Sequence, residues 1–148
     1  MACAVLTQAV TLKYLLDTSI LSEPLKPKAV PQILANLQAY AKDCACPSPV
    51  LHELFFGACR LPASARQDKI LAYLYDVVLP VFPILPYDAA AASWHALRRA
   101  ELMQQGRTPP FVDGQIAAIA QTQGLMLVTR NAKDFVPFGI AITDWCDV

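Results

Sequence analysis

Short apolar runs alternate along this chain with longer stretches of helical periodicity, and that alternation narrows the fold more than any other feature. The apolar end of TLKYLLD, the piece DCACPSPV, and the runs VFPIL, LMLVT and GIAIT are too short for a helix and too apolar for loops. They read as buried strands. Between them, VPQILANLQAYA repeats Val30, Ile33, Leu34, Leu37 and Ala41 at helical spacing, with Pro31 in the first turn where proline is tolerated. VLHELFFGACRL continues the period through Val50, Leu51, Leu54, Phe55 and Ala58. A helix over Ala65 to Val78 turns Ile70, Leu71, Leu74 and Val77 inward. The longest helix, from about Asp88 to Gln105, ends at Gly106, and VDGQIAAIAQTQG ends at Gly124. Pro24 and Pro27 leave only a helical turn and a loop after the first strand, and the prolines of CPSPV require the strand there to be short or at an edge. Strands alternating with helices predict an α/β sandwich around a mostly parallel sheet.

The 148 residues suit one domain with a substantial core, 55% of them hydrophobic and only 16% charged. Twelve basic side chains balance twelve acidic ones, so no overall positive field draws the chain to nucleic acid and such binding needs a local basic patch. No apolar run reaches the roughly 18 residues of a membrane span, and the N-terminus lacks the basic start of a signal peptide. Five cysteines read as free, mostly buried thiols in a reducing cytoplasm, and neither His52 nor His95 has a metal-type partner nearby in sequence.

Four acids stand at places a core would not choose. Asp17 closes the first strand, where open α/β sheets put their ligands. Asp113 shares a helix face with Ile116, Ala117 and Ala120, and an acid on an apolar stripe is costly without compensation. Glu53 is similarly flanked by Val50 and Phe56, and Asp134 follows the strand LMLVT in the loop RNAKDF. Each has a local alternative: Asp17 as an N-cap, Asp113 as a cap of its own helix, Glu53 paired with Arg60, and Asp134 as a turn residue. Against these stands their common location, since a single sheet brings all four to one edge. Two carboxylates about 4 Å apart repel by roughly 4 kcal/mol at an effective dielectric of about 20. Such a group calls for a cation, and hard oxygen ligands favour Mg2+ or Mn2+ over zinc. Metal-assisted phosphodiester hydrolysis is the reaction class that fits.

The motifs LLDTSILSE, HELFFGA, FVDGQIAAIA, LVTRNAKDF and the closing TDW resemble the PIN-domain ribonucleases, in particular VapC-type toxins of the FitB-like branch. The resemblance runs from about Tyr14 to Trp145 and implies a PIN-like three-layer α/β/α sandwich around a mostly parallel sheet of four or five strands. It implies that Asp17, Glu53, Asp113 and Asp134 are catalytic and hold one or two Mg2+ or Mn2+ ions, with Thr18, Thr129 and Asn131 orienting them. It further implies an RNA substrate, a homodimer, a cognate VapB-type antitoxin, and contact with operator DNA only through that antitoxin. Residues 1–12 exceed what the family needs and read as an N-terminal arm or an upstream start.

Arg107, Arg130 and Lys133, close in sequence to the later acids, are candidates for RNA-phosphate contacts, with a solvated surface as the alternative. The aromatic residues Phe55, Phe56, Tyr73, Tyr75 and Trp94 read as core or dimer interface. Two other functions compete. A catalytically weak PIN-like binding module is opposed by the presence of all four acids. A haloacid-dehalogenase-like phosphatase needs a second acid two residues after the first, where Ser19 stands.

Overall fold

The structure, a computed structural model, describes residues 11–146. The N-terminal arm expected over residues 1–12, apart from Thr11 and Leu12, lies outside the described residues, as does Cys3. Five strands form one sheet: β1 (Tyr14–Leu16), β2 (Cys44–Pro47), β3 (Ile84–Leu85), β4 (Met126–Val128) and β5 (Ile142–Thr143). Their order is β3-β2-β1-β4-β5, and every pairing is parallel. The helices are α1 (Thr18–Leu21), α2 (Pro31–Ala39), α3 (Ser48–Cys59), α4 (Ala65–Tyr73), α5 (Leu79–Val81), α6 (Ala89–Gln104), α7 (Phe111–Gln123) and α8 (Ala132–Phe135). The fold is the expected α/β sandwich.

Local chemistry explains the element ends. Asp17 caps α1, and Asp88 caps α6 by accepting the Ala91 N–H at 2.9 Å. α7 stops where Gly124 adopts the left-handed conformation, with φ of 66°. β2 is short and lies inside the sheet: it pairs with β1 through Cys44 and Ala45, and with β3 through Cys46 and Pro47. Pro47 lies beyond the residues paired with β1, so the N–H it lacks is missing from no bond to that neighbour. Pro49 falls at the second residue of α3.

Leu15, Leu16, Leu127 and Val128 are fully buried at the centre of the sheet. They pack in one apolar cluster with Ile20, Ile33, Val50, Leu54, Leu74, Ile116, Ile119, Phe135 and Phe138. Cys44 and Cys46 are buried in β2, where burial pushes each thiol up to about 12. Cys59 is exposed and Cys146 half-buried, and all four are free.

Two expectations change. The helix predicted over Ala65 to Val78 is not uniform: after α4 the chain makes a π-helical turn at Leu74–Val78 before α5. A π turn holds one extra residue and rotates the following face. Val78 is therefore fully buried, and Val77, expected inside, is 40% exposed. Likewise α3 buries Val50, Leu54 and Ala58, four residues apart, so Glu53 lies beside the buried stripe and faces solvent rather than the core. The π segment is tied down by the Tyr73 hydroxyl, which donates to the Leu21 carbonyl at 2.6 Å. A Tyr73→Phe substitution should cost about 1 kcal/mol, read as a melting temperature lowered by roughly 3 °C.

Candidate active site

The chain order reverses between β1 and β4: β2 and β3 follow β1 to one side, and β4 and β5 lie on the other. A crevice opens at the carboxyl ends of strands where such a reversal occurs. Asp17 directly follows β1, and Thr129 directly follows β4. The Asp17 N–H donates to the Val128 carbonyl at 3.0 Å, which fixes these two strand ends together. The side chain of Asp17 is 7% exposed. Its Oδ1 accepts the Thr18 N–H at 2.8 Å, and its Oδ2 accepts the hydroxyls of Thr129 at 2.8 Å and Ser19 at 3.1 Å. The capping role and the place in the site belong to the same carboxylate.

The other acids arrive on three helices. Glu53, on α3, accepts the Thr18 hydroxyl at 2.6 Å; the ion pairs found among the described residues do not include one to Arg60. Asp113 stands in the first turn of α7, but the N-cap is Pro110 and no side chain caps this helix. Asp134, expected in a loop, lies in the single-turn helix α8. Asp17, Glu53, Asp113 and Asp134 all line one cavity of about 290 Å3, together with Thr18, Ser19, Ser22, Asn131, Ile116 and Phe135. Among the described residues no basic side chain lines it. A larger groove of about 780 Å3, between Leu25, Pro27 and Ile70, is edged by Lys26, Arg66 and Lys69 and, among the described residues, contains no acid. The carboxylate chemistry belongs to the smaller cavity.

Crowding shows in the acidities. The carboxyl of Asp113 is pushed up to about 6, first by burial and then by the charges of Asp17, Asp134 and Glu53. Burial also raises Asp17, although hydrogen bonds from Thr129, Thr18 and Ser19 pull the other way and the Glu53 charge adds to the rise. Among the described residues no three His, Cys, Asp or Glu side chains stand close enough to enclose an ion by themselves. The acids share a wall without meeting at a point, which fits an ion that keeps part of its water shell, as Mg2+ does. An all-oxygen set in which the carboxyls of Asp17 and Asp113 are pushed above their ordinary values suits a hard divalent cation.

Thr129 is fully buried and its hydroxyl also accepts the Asn131 N–H at 3.0 Å, so Thr129 and Asn131 form a small turn under Asp17. Arg107 and Lys133 are exposed and make no ion pair among the described residues. Arg130 is engaged: its Nη1 lies 3.1 Å from Oε2 of Glu23. Glu23 is fully buried and was not weighed among the acids of the sequence, although it closes the motif LLDTSILSE. Ser19 and Ser22 were also missed; the only signal was their position within the same motif.

This fold has known counterparts. The PIN domain family matches residues 14–136. The chain belongs to the PIN-domain family. Toxin FitB of Neisseria gonorrhoeae is 30% identical to this PIN domain over 137 residues, covering 90% of this chain and 99% of its own. The tRNA(fMet)-specific endonuclease VapC of Shigella flexneri is 33% identical over 135 residues, 90% of this chain and 98% of that protein. Among solved structures, FitAcB from Neisseria gonorrhoeae matches with a TM-score of 0.84 at 28% identity, covering 91% of this chain and 99% of that one. DNA-bound VapBC from Salmonella typhimurium matches with a TM-score of 0.79 at 32% identity, covering 92% and 100%. With these relatives, the PIN domain is of the VapC type.

Proposed function

We propose that this PIN domain is a Mg2+- or Mn2+-dependent endoribonuclease, a toxin that hydrolyses RNA phosphodiester bonds and is restrained by a cognate VapB-type antitoxin. The observation that carries the reading is the cavity that four acids share. When bound, a divalent ion supplies charge to offset that developing on the attacked phosphodiester and lowers the pKa of a water. Asp17, held by three donors, is the rigid member of the set. Thr18 links it to Glu53 by donating its N–H to one and its hydroxyl to the other. Asp113, whose carboxyl is pushed up to about 6 in the metal-free cavity, would give up that proton on holding the ion. Asp134, on its single-turn helix, completes the wall.

Phosphates of the RNA on either side of the cut are assigned to Lys133 and Arg107, which carry their charges into solvent. Leu97, Met103, Phe111 and Val112 leave apolar surface on α6 and the start of α7, which suits a homodimer. A second groove of about 530 Å3, lined by Leu34, Leu37, Tyr73, Val77 and Val81, offers an apolar seat for an antitoxin segment. The balanced charge favours contact with operator DNA only through that antitoxin. Among the described residues no helix is long and apolar enough to cross a membrane, and we place the toxin in the cytoplasm with its RNA.

The test is RNA cleavage by the purified chain without antitoxin. Cutting should require Mg2+ or Mn2+, stop with EDTA and return when the ion is restored. Cleavage that persists in EDTA sinks the metal mechanism. Antitoxin binding with no cleavage under any ion is the result expected of a binding module.

A further inference from the structure

One buried charge in this molecule is not used by the four-acid site. The carboxylate of Glu23 has no exposed surface, and a buried carboxylate is tolerated only when its oxygens are paired. Its Oε1 accepts the Val30 N–H at 2.8 Å, and its Oε2 meets Lys26 Nζ at 2.9 Å. Burial drives the acid upward, but the bonds from Lys26 and Val30 and the charges of Lys26 and Arg130 outweigh it and leave Glu23 below its ordinary value. Lys26 is three residues away and neutralises Glu23 locally. Arg130 is a second cation, brought from 107 residues away to the same Oε2.

What Arg130 does at its other end gives the pairing a purpose. Its backbone N–H donates to Ser19 Oγ at 3.1 Å. Ser19 donates that hydroxyl to Asp17 Oδ2, and Thr129, the residue before Arg130, donates to the same oxygen. Both hydroxyls that aim Asp17 are therefore in contact with the segment 129–131, and the Glu23–Arg130 pair is an anchor of that segment beside the buried Thr129 side chain.

We propose that Arg130, clamped by buried Glu23, is a positioning residue that fixes the metal-binding geometry of Asp17 through Ser19 and Thr129. The proposal rests on the reading of the four acids as a divalent-ion site. It assigns Arg130 a task other than gripping RNA phosphate.

The experiment measures Mn2+ binding to the full chain by electron paramagnetic resonance, with steady-state RNA cleavage alongside. Arg130→Gln should weaken Mn2+ binding about tenfold, as loss of a partner behind a metal ligand does, and lower kcat with KM for RNA unchanged. Glu23→Gln should have the same effect, and the double variant should be no worse than either single one, because both act through one link. Lys26→Gln removes a partner of Glu23 that does not reach the site and should leave Mn2+ binding unchanged. Should Glu23→Gln fail to fold, Arg130→Gln against Lys26→Gln decides the matter. Wild-type Mn2+ affinity in Arg130→Gln, with or without a raised KM for RNA, overturns the positioning role. Equal weakening by Lys26→Gln overturns it too, because that is the mark of general destabilisation. If Asp17→Asn leaves Mn2+ binding intact, the metal-site reading itself fails, a result separate from both.

Discussion

Asp113→Asn should raise the melting temperature of the metal-free protein near neutral pH and slow RNA cleavage in Mg2+ by at least about a hundredfold. Both effects come from one carboxylate. Asp113 sits in the first turn of α7, where the helix dipole favours a negative charge by only about 0.5 kcal/mol. Burial, followed by the charges of Asp17, Asp134 and Glu53, nevertheless lifts its carboxyl from 3.8 to about 6, so repulsion and desolvation win. A carboxyl raised on folding contributes stability that is fully present below its unfolded value and lost as the pH rises through about 6. The metal-free wild type should therefore melt higher near pH 5 than near pH 7.5. Asp17 is raised as well and works in the same direction. Glu23 is lowered, so its stability is lost only below its ordinary value of 4.5; His95, lowered by burial and by Arg99, is the group that opposes the trend below 6.5, and the two raised carboxyls must outweigh it. Asparagine keeps the shape and removes the charge, which should flatten the pH dependence. Mg2+ should reverse the ranking by stabilising the wild type and not the variant. Melting curves in EDTA and in Mg2+ at two pH values decide it. A variant no more stable than wild type in EDTA, yet still stabilised by Mg2+, sinks the electrostatic account.

Much of this was legible in the sequence because the signals were local. Short apolar runs between periodic stretches marked the strands, and glycines and an aspartate marked the ends of α6 and α7. Asp17 and Asp113 drew attention because an acid interrupted an apolar pattern whose period was already known. Three things were hidden for physical reasons. The π turn after α4 adds a residue just before Pro80, whose position alone does not reveal it, so the inward face slips from Val77 to Val78. In α3 the adjacent Phe55 and Phe56 blur the stripe of Val50, Leu54 and Ala58, and Glu53 was read as turned inward when it is exposed. The Glu23–Arg130 pair depends on β1 and β4 being neighbours, which strand spacing alone does not specify.

Gly114→Ala should be among the most damaging single changes available in this chain, although glycine to alanine inside a helix normally gains about 1 kcal/mol. Gly114 is buried on α7 beside Asp113, and a Cβ built there would lie 2.0 Å from Nε2 of His95 on α6. That ring is not free to retreat. His95 is 2% exposed, its Nδ1 shares a hydrogen bond of 2.8 Å with the Tyr87 hydroxyl, and the Phe111 ring lies 4.9 Å away between centroids. The methyl group must part α6 from α7 or break the Tyr87 bond. Overpacking of this kind costs about 1–3 kcal/mol or more, and the broken bond adds about 1 kcal/mol. Offset by the helix gain, the net loss is about 1–3 kcal/mol, a melting temperature lowered by roughly 2–12 °C. Because Asp113 precedes the clash by one residue, stabilisation by Mg2+ should shrink as well. Gly57 supplies the control: it lies in α3, a Cβ there meets nothing within 4 Å, and Gly57→Ala should be neutral or stabilising. Adding His95→Ala to Gly114→Ala opens the space the methyl needs, so the double variant should lose less than the sum of the two single ones. Additive losses would mean that the His95 ring is not what requires glycine at position 114.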